Sequence, residues 1–181
     1  MDYQDILYKK NTLLILSYLS KTNKSIYGRM LSKELGLSQA SISTVLKELE
    51  GIGIVFREEI GRAILYKVDK KSPEIQKFRI FENIMSIKVL VNQIKGYSRE
   101  IVLFGSCASG DDDLSSDMDI FIVADEDNHS IIRTIISDYK SDRDISPIIV
   151  DTIELLQMEE SDKIFVKEIY RGISLYSGEE N

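Results

Sequence analysis

The chain has 181 residues, 43% of them hydrophobic and 29% charged, with a formal net charge of −7. That composition buries a core, and no apolar run approaches the roughly 18 residues that span a bilayer. The N-terminus MDYQDILYKK has no signal-peptide apolar region and Cys107 is the single cysteine, so the reading is a cytoplasmic protein without disulfides or a cysteine-rich zinc site.

The charge is unevenly spread. Residues 1–70 carry 11 Lys/Arg against 8 Asp/Glu, and residues 71–181 carry 12 against 22. Phosphate contacts act locally, over a Debye length of about 10 Å, so a net acidic chain can still offer a basic face to DNA. The split predicts two domains with different partners.

In chain order, NTLLILSYLS (11–20) reads as a buried helix and YGRMLSKELGL (27–37) as a shorter one that Gly36 stops. Ser38 suits the N-cap of a third helix, in which Ile42, Val45, Leu46 and Leu49 form one apolar stripe. Ile54–Arg57 and Ala63–Val68 have strand character, with Gly61 in the turn between them. Pro73 opens a long connecting helix in which Ile75, Phe78, Phe81, Met85 and Val89 recur at three- and four-residue steps up to Gly96. That stripe is available to pack on either domain or on a second copy. Strands IVLF (101–104) and DIFIVA (119–124), a helix over 129–140, a strand ISPIIV (145–150) and one or two C-terminal helices follow.

Two constellations carry chemistry. In the first, SKELGLSQASIS, a buried apolar stripe turns Gln39, Ala40, Ser41, Ser43, Thr44 and Lys47 outward. Small polar side chains let a helix enter the major groove, where Gln can pair with adenine. Arg57 and Arg62 flank the hairpin tip, within reach of phosphate or the minor groove. In the second, FGSCASGDDDLSSDMDIFIV, Gly105-Ser106 precedes Asp117-Met118-Asp119 by ten residues. Asp117 and Asp119, two apart on a strand, share a face and can hold hard Mg²⁺. Gly105 lets backbone approach a triphosphate, and Ser106 offers it hydroxyl and amide donors. Two metal ions roughly 4 Å apart would activate a hydroxyl and stabilise a pyrophosphate leaving group. The run Asp111-Asp112-Asp113 reads as a solvated loop, His129 as a surface residue at a helix start, and Cys107 as small packing.

The turn SKELGLSQASIS resembles the helix-turn-helix of winged-helix regulators of the MarR and ArsR type. The Gly-Ser, ten residues, Asp-x-Asp pattern resembles the DNA-polymerase-β-like minimal nucleotidyltransferases over roughly residues 98–178. Together these imply an α/β (α+β) chain: an N-terminal winged helix-turn-helix over 1–72, a connecting helix over 73–97, and a nucleotidyltransferase-fold mixed sheet with flanking helices over 98–181. They imply Mg²⁺ and a nucleoside triphosphate, ATP by expectation, and double-stranded DNA as a partner, often through a homodimer.

Three departures bear on activity. The family often has arginines after Gly-Ser, where Cys107 and Ser109 stand here. The acidic run repels a nucleotide. The third carboxylate of the family falls on Ser146, with Asp144 two residues earlier as the candidate substitute. The sequence therefore leaves three functions open: a DNA-binding regulator that binds a nucleotide with little or no transfer, an active nucleotidyltransferase acting on a protein or small-molecule hydroxyl, and an inert interaction module.

Overall fold

A computed structural model of the protein describes residues 3–178; residues 1, 2 and 179–181, which fall within the expected domain bounds, lie outside them. The chain divides into two compact units, Met1–Arg79 and Ile80–Asn181.

The first unit runs α1 (Tyr3–Leu7), α2 (Lys10–Lys21), β1 (Ile26–Tyr27), α3 (Gly28–Leu35), α4 (Gln39–Gly51), β2 (Val55–Ile60) and β3 (Ala63–Val68). Gly36 ends α3 at φ 65°, a left-handed backbone that glycine adopts without steric cost. Ser38 then caps α4, its hydroxyl accepting from the Ser41 amide at 3.1 Å. Ile42, Val45, Leu46 and Leu49 are all buried, against Ile15, Leu19, Leu31 and Val55. The hairpin closes through Gly61-Arg62, with Ile60 paired to Ala63 and Gly61 at φ 62°. That is the type II′ pattern, whose twist matches the strands. The two-residue β1 pairs with β3, giving an antiparallel sheet in the order β1-β3-β2. Helices α2, α3 and α4 followed by a hairpin wing make a winged helix-turn-helix. Neither α1 nor β1 has a periodicity long enough to be legible in sequence.

Between the two constellations runs α5 (Pro73–Ile94), with a single 3-10 turn at Lys95–Tyr97 after it. Its expected stripe splits. Ile75 is buried, but Phe81, Met85 and Val89 are 60%, 53% and 59% exposed. From Ile80 onward the core side of the helix is instead Ile87, Leu90, Val91 and Ile94. The helix is apolar on two faces, so apolar spacing alone does not choose the buried one.

The second unit continues with β4 (Glu100–Leu103), α6 (Gly105–Ser109), β5 (Met118–Val123), α7 (Glu126–Asp138), β6 (Ile145–Val150), α8 (Thr152–Ser161), α9 (Lys163–Tyr170) and β7 (Ile173–Ser177). The sheet order is β6-β5-β4-β7, with β5 parallel to β6 and both of β4's pairings antiparallel. Alternation puts Ile101, Leu103, Ile120 and Ile122 on the face covered by α5 and α7. Val102, Phe104, Phe121 and Val123 line the other, covered by α8 and α9. This is the mixed sheet with flanking helices that the sequence implies, plus one strand it did not announce. Pro147 sits on β6, an edge strand, where a missing N–H is tolerated.

Residue 172 fixes the approach of β7 to β4. A Cβ on Gly172 would lie 2.2 Å from the Leu103 carbonyl oxygen and 2.8 Å from that of Ile169. Gly172→Ala should cost about 2–3 kcal/mol in a urea melt, because backbone rather than a side-chain tip must move. Gly51→Ala, at the end of α4 with nothing within 4 Å of its added Cβ, should instead be neutral or stabilising by up to about 1 kcal/mol.

Candidate functional site

At the end of β4 the chain turns at Phe104, and Gly105 enters α6 at φ 69°. A Cβ built on Gly105 would stand 2.6 Å from Asp119 Oδ2. Glycine is required here for its conformation, and its missing side chain leaves room for the Asp119 carboxylate. The Phe104 amide donates to the Asp119 carbonyl at 3.0 Å, which fixes the turn against β5. Gly105, Ser106 and Asp119 are thus gathered at one end of the β4–β5 pair. Asp117, exposed just ahead of β5, is close enough to act electrostatically on half-buried Asp119.

Burial raises the Asp119 carboxyl above its ordinary range. The charge of Asp117 raises it further, and a hydrogen bond with Ser146 partly offsets both. Ser146 is the residue paired with Asp119 across the parallel β5–β6 ladder. The position at which the resemblance places the family's third carboxylate thus pairs with Asp119 and carries a hydroxyl. Asp144 is exposed at the lead-in to β6, its carbonyl accepting from the Met118 amide at 2.9 Å. Among the described residues no three His, Cys, Asp or Glu side chains are grouped to hold a metal ion. Two hard carboxylates beside a glycine cradle would fit one Mg²⁺ if its remaining ligands were supplied by a bound phosphate and water. They do not supply a second ion with its own protein ligands.

The acidic run is not a uniformly solvated loop. Asp112 is buried, and its Oδ2 pairs with Arg143 Nη1 at 2.7 Å. Arg143 and Asn83, whose Nδ2 donates to Asp112 Oδ1 at 3.1 Å, were both missed from sequence. Nothing in local pattern links residues 29 and 31 positions away. Cys107 is fully buried, and burial followed by the Asp112 charge pushes its thiol up to about 11. It is a packing residue, unsuited to nucleophilic work. His129 lies within the first turn of α7, half-buried, with a ring nitrogen 3.2 Å from the Ala124 carbonyl oxygen.

On the winged helix, Gln39, Ser43, Thr44 and Lys47 are exposed along α4. Ser41 is half-buried and accepts from Asn11 Nδ2 at 2.9 Å, so its hydroxyl is committed to α2. Arg57 is ion-paired with Glu59. Arg62, exposed at the wing tip, has no ion-pair partner among the described residues. Two cations escaped the sequence reading. Lys9 pairs with Glu48 at 2.8 Å and so neutralises an acid on α4. Arg29 stacks 5.3 Å over the Tyr27 ring and borders the same recess as Arg62, Ile60 and Ile64.

Fold and motif together define a winged helix joined to a domain of the nucleotidyltransferase type. The family model described as polymerase beta, nucleotidyltransferase, matches residues 89–181, half of the chain, and the chain belongs to that family. A comparison with the curated proteins finds no match. Among solved structures the chain is similar to AF1382 from Archaeoglobus fulgidus, 19% identical over 46% of this chain and 97% of that one, with a TM-score of 0.38. It is similar also to the transcriptional regulator YodB from B. subtilis, at 22% identity over 49% and 84%, TM-score 0.38. A third is the adhesin competence repressor AdcR from Streptococcus pyogenes, at 17% over 50% and 68%, TM-score 0.39. Among the described residues no helix is long and apolar enough to cross a membrane.

The raised Asp119 carboxyl carries a sign. A carboxyl held above its unfolded value favours the folded state fully below that unfolded value, and this contribution is lost as pH rises through the raised one. In metal-free buffer at pH 7, Asp119→Asn should therefore raise Tm, and near pH 3 the gain should vanish. A gain that persists at low pH would point to a cause other than charge.

Proposed function

We propose that the protein is a DNA-binding regulator whose nucleotidyltransferase-type domain binds a Mg²⁺-nucleoside triphosphate, with transfer weak or absent. The observation that carries this reading is the pairing of Asp119 with Ser146. Asp117 and Asp119 hold one cation against the phosphates, and the Gly105-Ser106 turn offers its amides and hydroxyl to them. A bound Mg²⁺ supplies charge neutralisation of the triphosphate. The ion that would lower the pKa of an attacking hydroxyl needs a further carboxylate, and Ser146 neither offsets its charge nor binds it strongly. ATP is the expected nucleotide and the cytoplasm the expected location.

Gln39, Ser43, Thr44 and Lys47 of α4 face the major groove in this reading, with Arg62, and Arg57 in exchange for Glu59, reaching backbone or minor groove. The exposed Phe81, Met85 and Val89 of α5 favour a homodimer, which suits two half-sites on duplex DNA. One observation favours an active transferase with a protein or small-molecule acceptor: the Asp144 backbone is tied to Met118, within the Asp117–Asp119 segment. A small change in that loop would bring its carboxylate toward the site.

For the full chain, affinity for duplex DNA should fall steeply between 50 and 200 mM salt, as it does for proteins that make several phosphate contacts. Arg62→Ala should lower the log–log salt slope by about 1 on every sequence. Gln39→Ala should relax preference at one base position, at a cost of about 1–3 kcal/mol on selected sites. No binding at low salt would refute the DNA reading. Asp117→Asn with Asp119→Asn should abolish Mg²⁺-dependent ATP binding measured by calorimetry. Labelled-ATP transfer lost with Asp144→Asn would make Asp144 catalytic and replace this proposal with the transferase.

A further inference from the structure

Four segments of the second unit meet at a buried polar knot beside the Gly105–Asp119 site. Arg143, on the lead-in to β6, places Nη1 2.7 Å from Asp112 Oδ2, with side-chain exposures of 10% and 0%. The same nitrogen is 3.3 Å from Cys107 Sγ. Asn83 on α5 donates through Nδ2 to Asp112 Oδ1 at 3.1 Å and to the Cys107 carbonyl at 3.0 Å. The Cys107 thiol in turn donates to the Asp117 carbonyl at 3.3 Å. Cys107 follows Ser106, the Asp117 carbonyl belongs to a proposed metal ligand, and Ser146 lies three residues beyond Arg143. Ser106, Asp117 and Ser146 thus each lie within three residues of, or on, one arm of this knot.

A buried ion pair is a poor way to gain stability. Desolvating two charges costs about as much as their attraction returns, and apolar residues of similar volume often serve as well or better. What such a pair supplies is a fixed geometry, since each hydrogen bond has a direction that apolar contact lacks. Arg143 is turned inward onto Asp112, so its guanidinium is not offered to phosphate.

We propose that Arg143 and Asp112, through Cys107, are positioning residues for the Mg²⁺-nucleotide site. They hold the Gly105-Ser106 turn and the Asp117 backbone in the one arrangement that aims two carboxylates and the turn's donors at a shared ligand. This rests on the nucleotide-binding reading above, and its test is built to fail separately.

The experiment uses the full chain with three changes. Asp112→Leu combined with Arg143→Met replaces the pair by apolar residues. Cys107→Ala cuts the tie to Asp117 with little change of volume, and Cys107→Ser restores a donor. Three readouts are taken: Tm, Mg²⁺-dependent affinity for a fluorescent ATP analogue, and amide hydrogen exchange at residues 105–107 and 117–119 without nucleotide. In the paired variant and in Cys107→Ala, Tm should stay near the wild-type value while affinity falls at least tenfold and those amides exchange faster. Cys107→Ser should recover most of the affinity. Unchanged affinity and exchange at unchanged Tm would overturn the proposal, leaving the pair a structural feature only. Should the paired variant fail to fold, Cys107→Ala and its serine rescue decide the matter alone. Should the wild type not bind the analogue, the nucleotide reading fails, and faster exchange in the variants still supports the positioning role while unchanged exchange still overturns it.

Discussion

The carboxylate of Asp119 occupies the space that a side chain on residue 105 would fill. Its Oδ2 would lie 2.6 Å from a β-carbon there, so glycine at residue 105 lets the carboxylate keep this orientation close against the turn after β4. The backbone around that contact is held by its own bonds. The Phe104 amide bonds to the Asp119 carbonyl, β4 and β5 run antiparallel from it, and α6 leaves the sheet with Ser106 at its start.

Electrostatics at this contact suits the cation proposed above. Asp117 and Asp119 repel each other, and burial makes ionisation of Asp119 costlier still. A carboxylate kept in such surroundings is a local cost to the fold that a divalent ion offsets. The hydroxyl of Ser146 relieves part of that cost without adding negative charge. The parallel ladder thus places a mild donor at the position where a further acid would add to that cost.

Much of this was legible in sequence because it is local. The stripe of α4, the Ser38 cap, the Gly61 turn and the Gly-Ser, Asp-x-Asp spacing each act over fewer than twenty residues, and each has a physical signature of its own. The alignment of Asp119 with Ser146 was also accessible, since the strand ISPIIV brings a serine to the right step. What was hidden is non-local or ambiguous. Arg143 and Asp112 are ordinary surface residue types until the fold buries them together. The helix α5 is apolar on two sides, and only tertiary packing selects Ile87, Leu90 and Val91 over Phe81, Met85 and Val89. The short β7 lacks enough alternation to stand out, yet it completes the sheet.

The position of β7 has a consequence for how the protein comes to exist. It pairs with β4, some seventy residues earlier in the chain, so that one edge of the sheet is the last described part to be synthesised. The winged helix, whose contacts are mostly between neighbouring elements, can form while translation continues. Until Ile173–Ser177 arrive, β4 presents an unpaired row of backbone donors and acceptors, a template for any passing strand. The nascent second unit is therefore most vulnerable to misassembly in the interval between the synthesis of β5 and that of β7. Chaperone demand and sensitivity to stalling should be concentrated in that window.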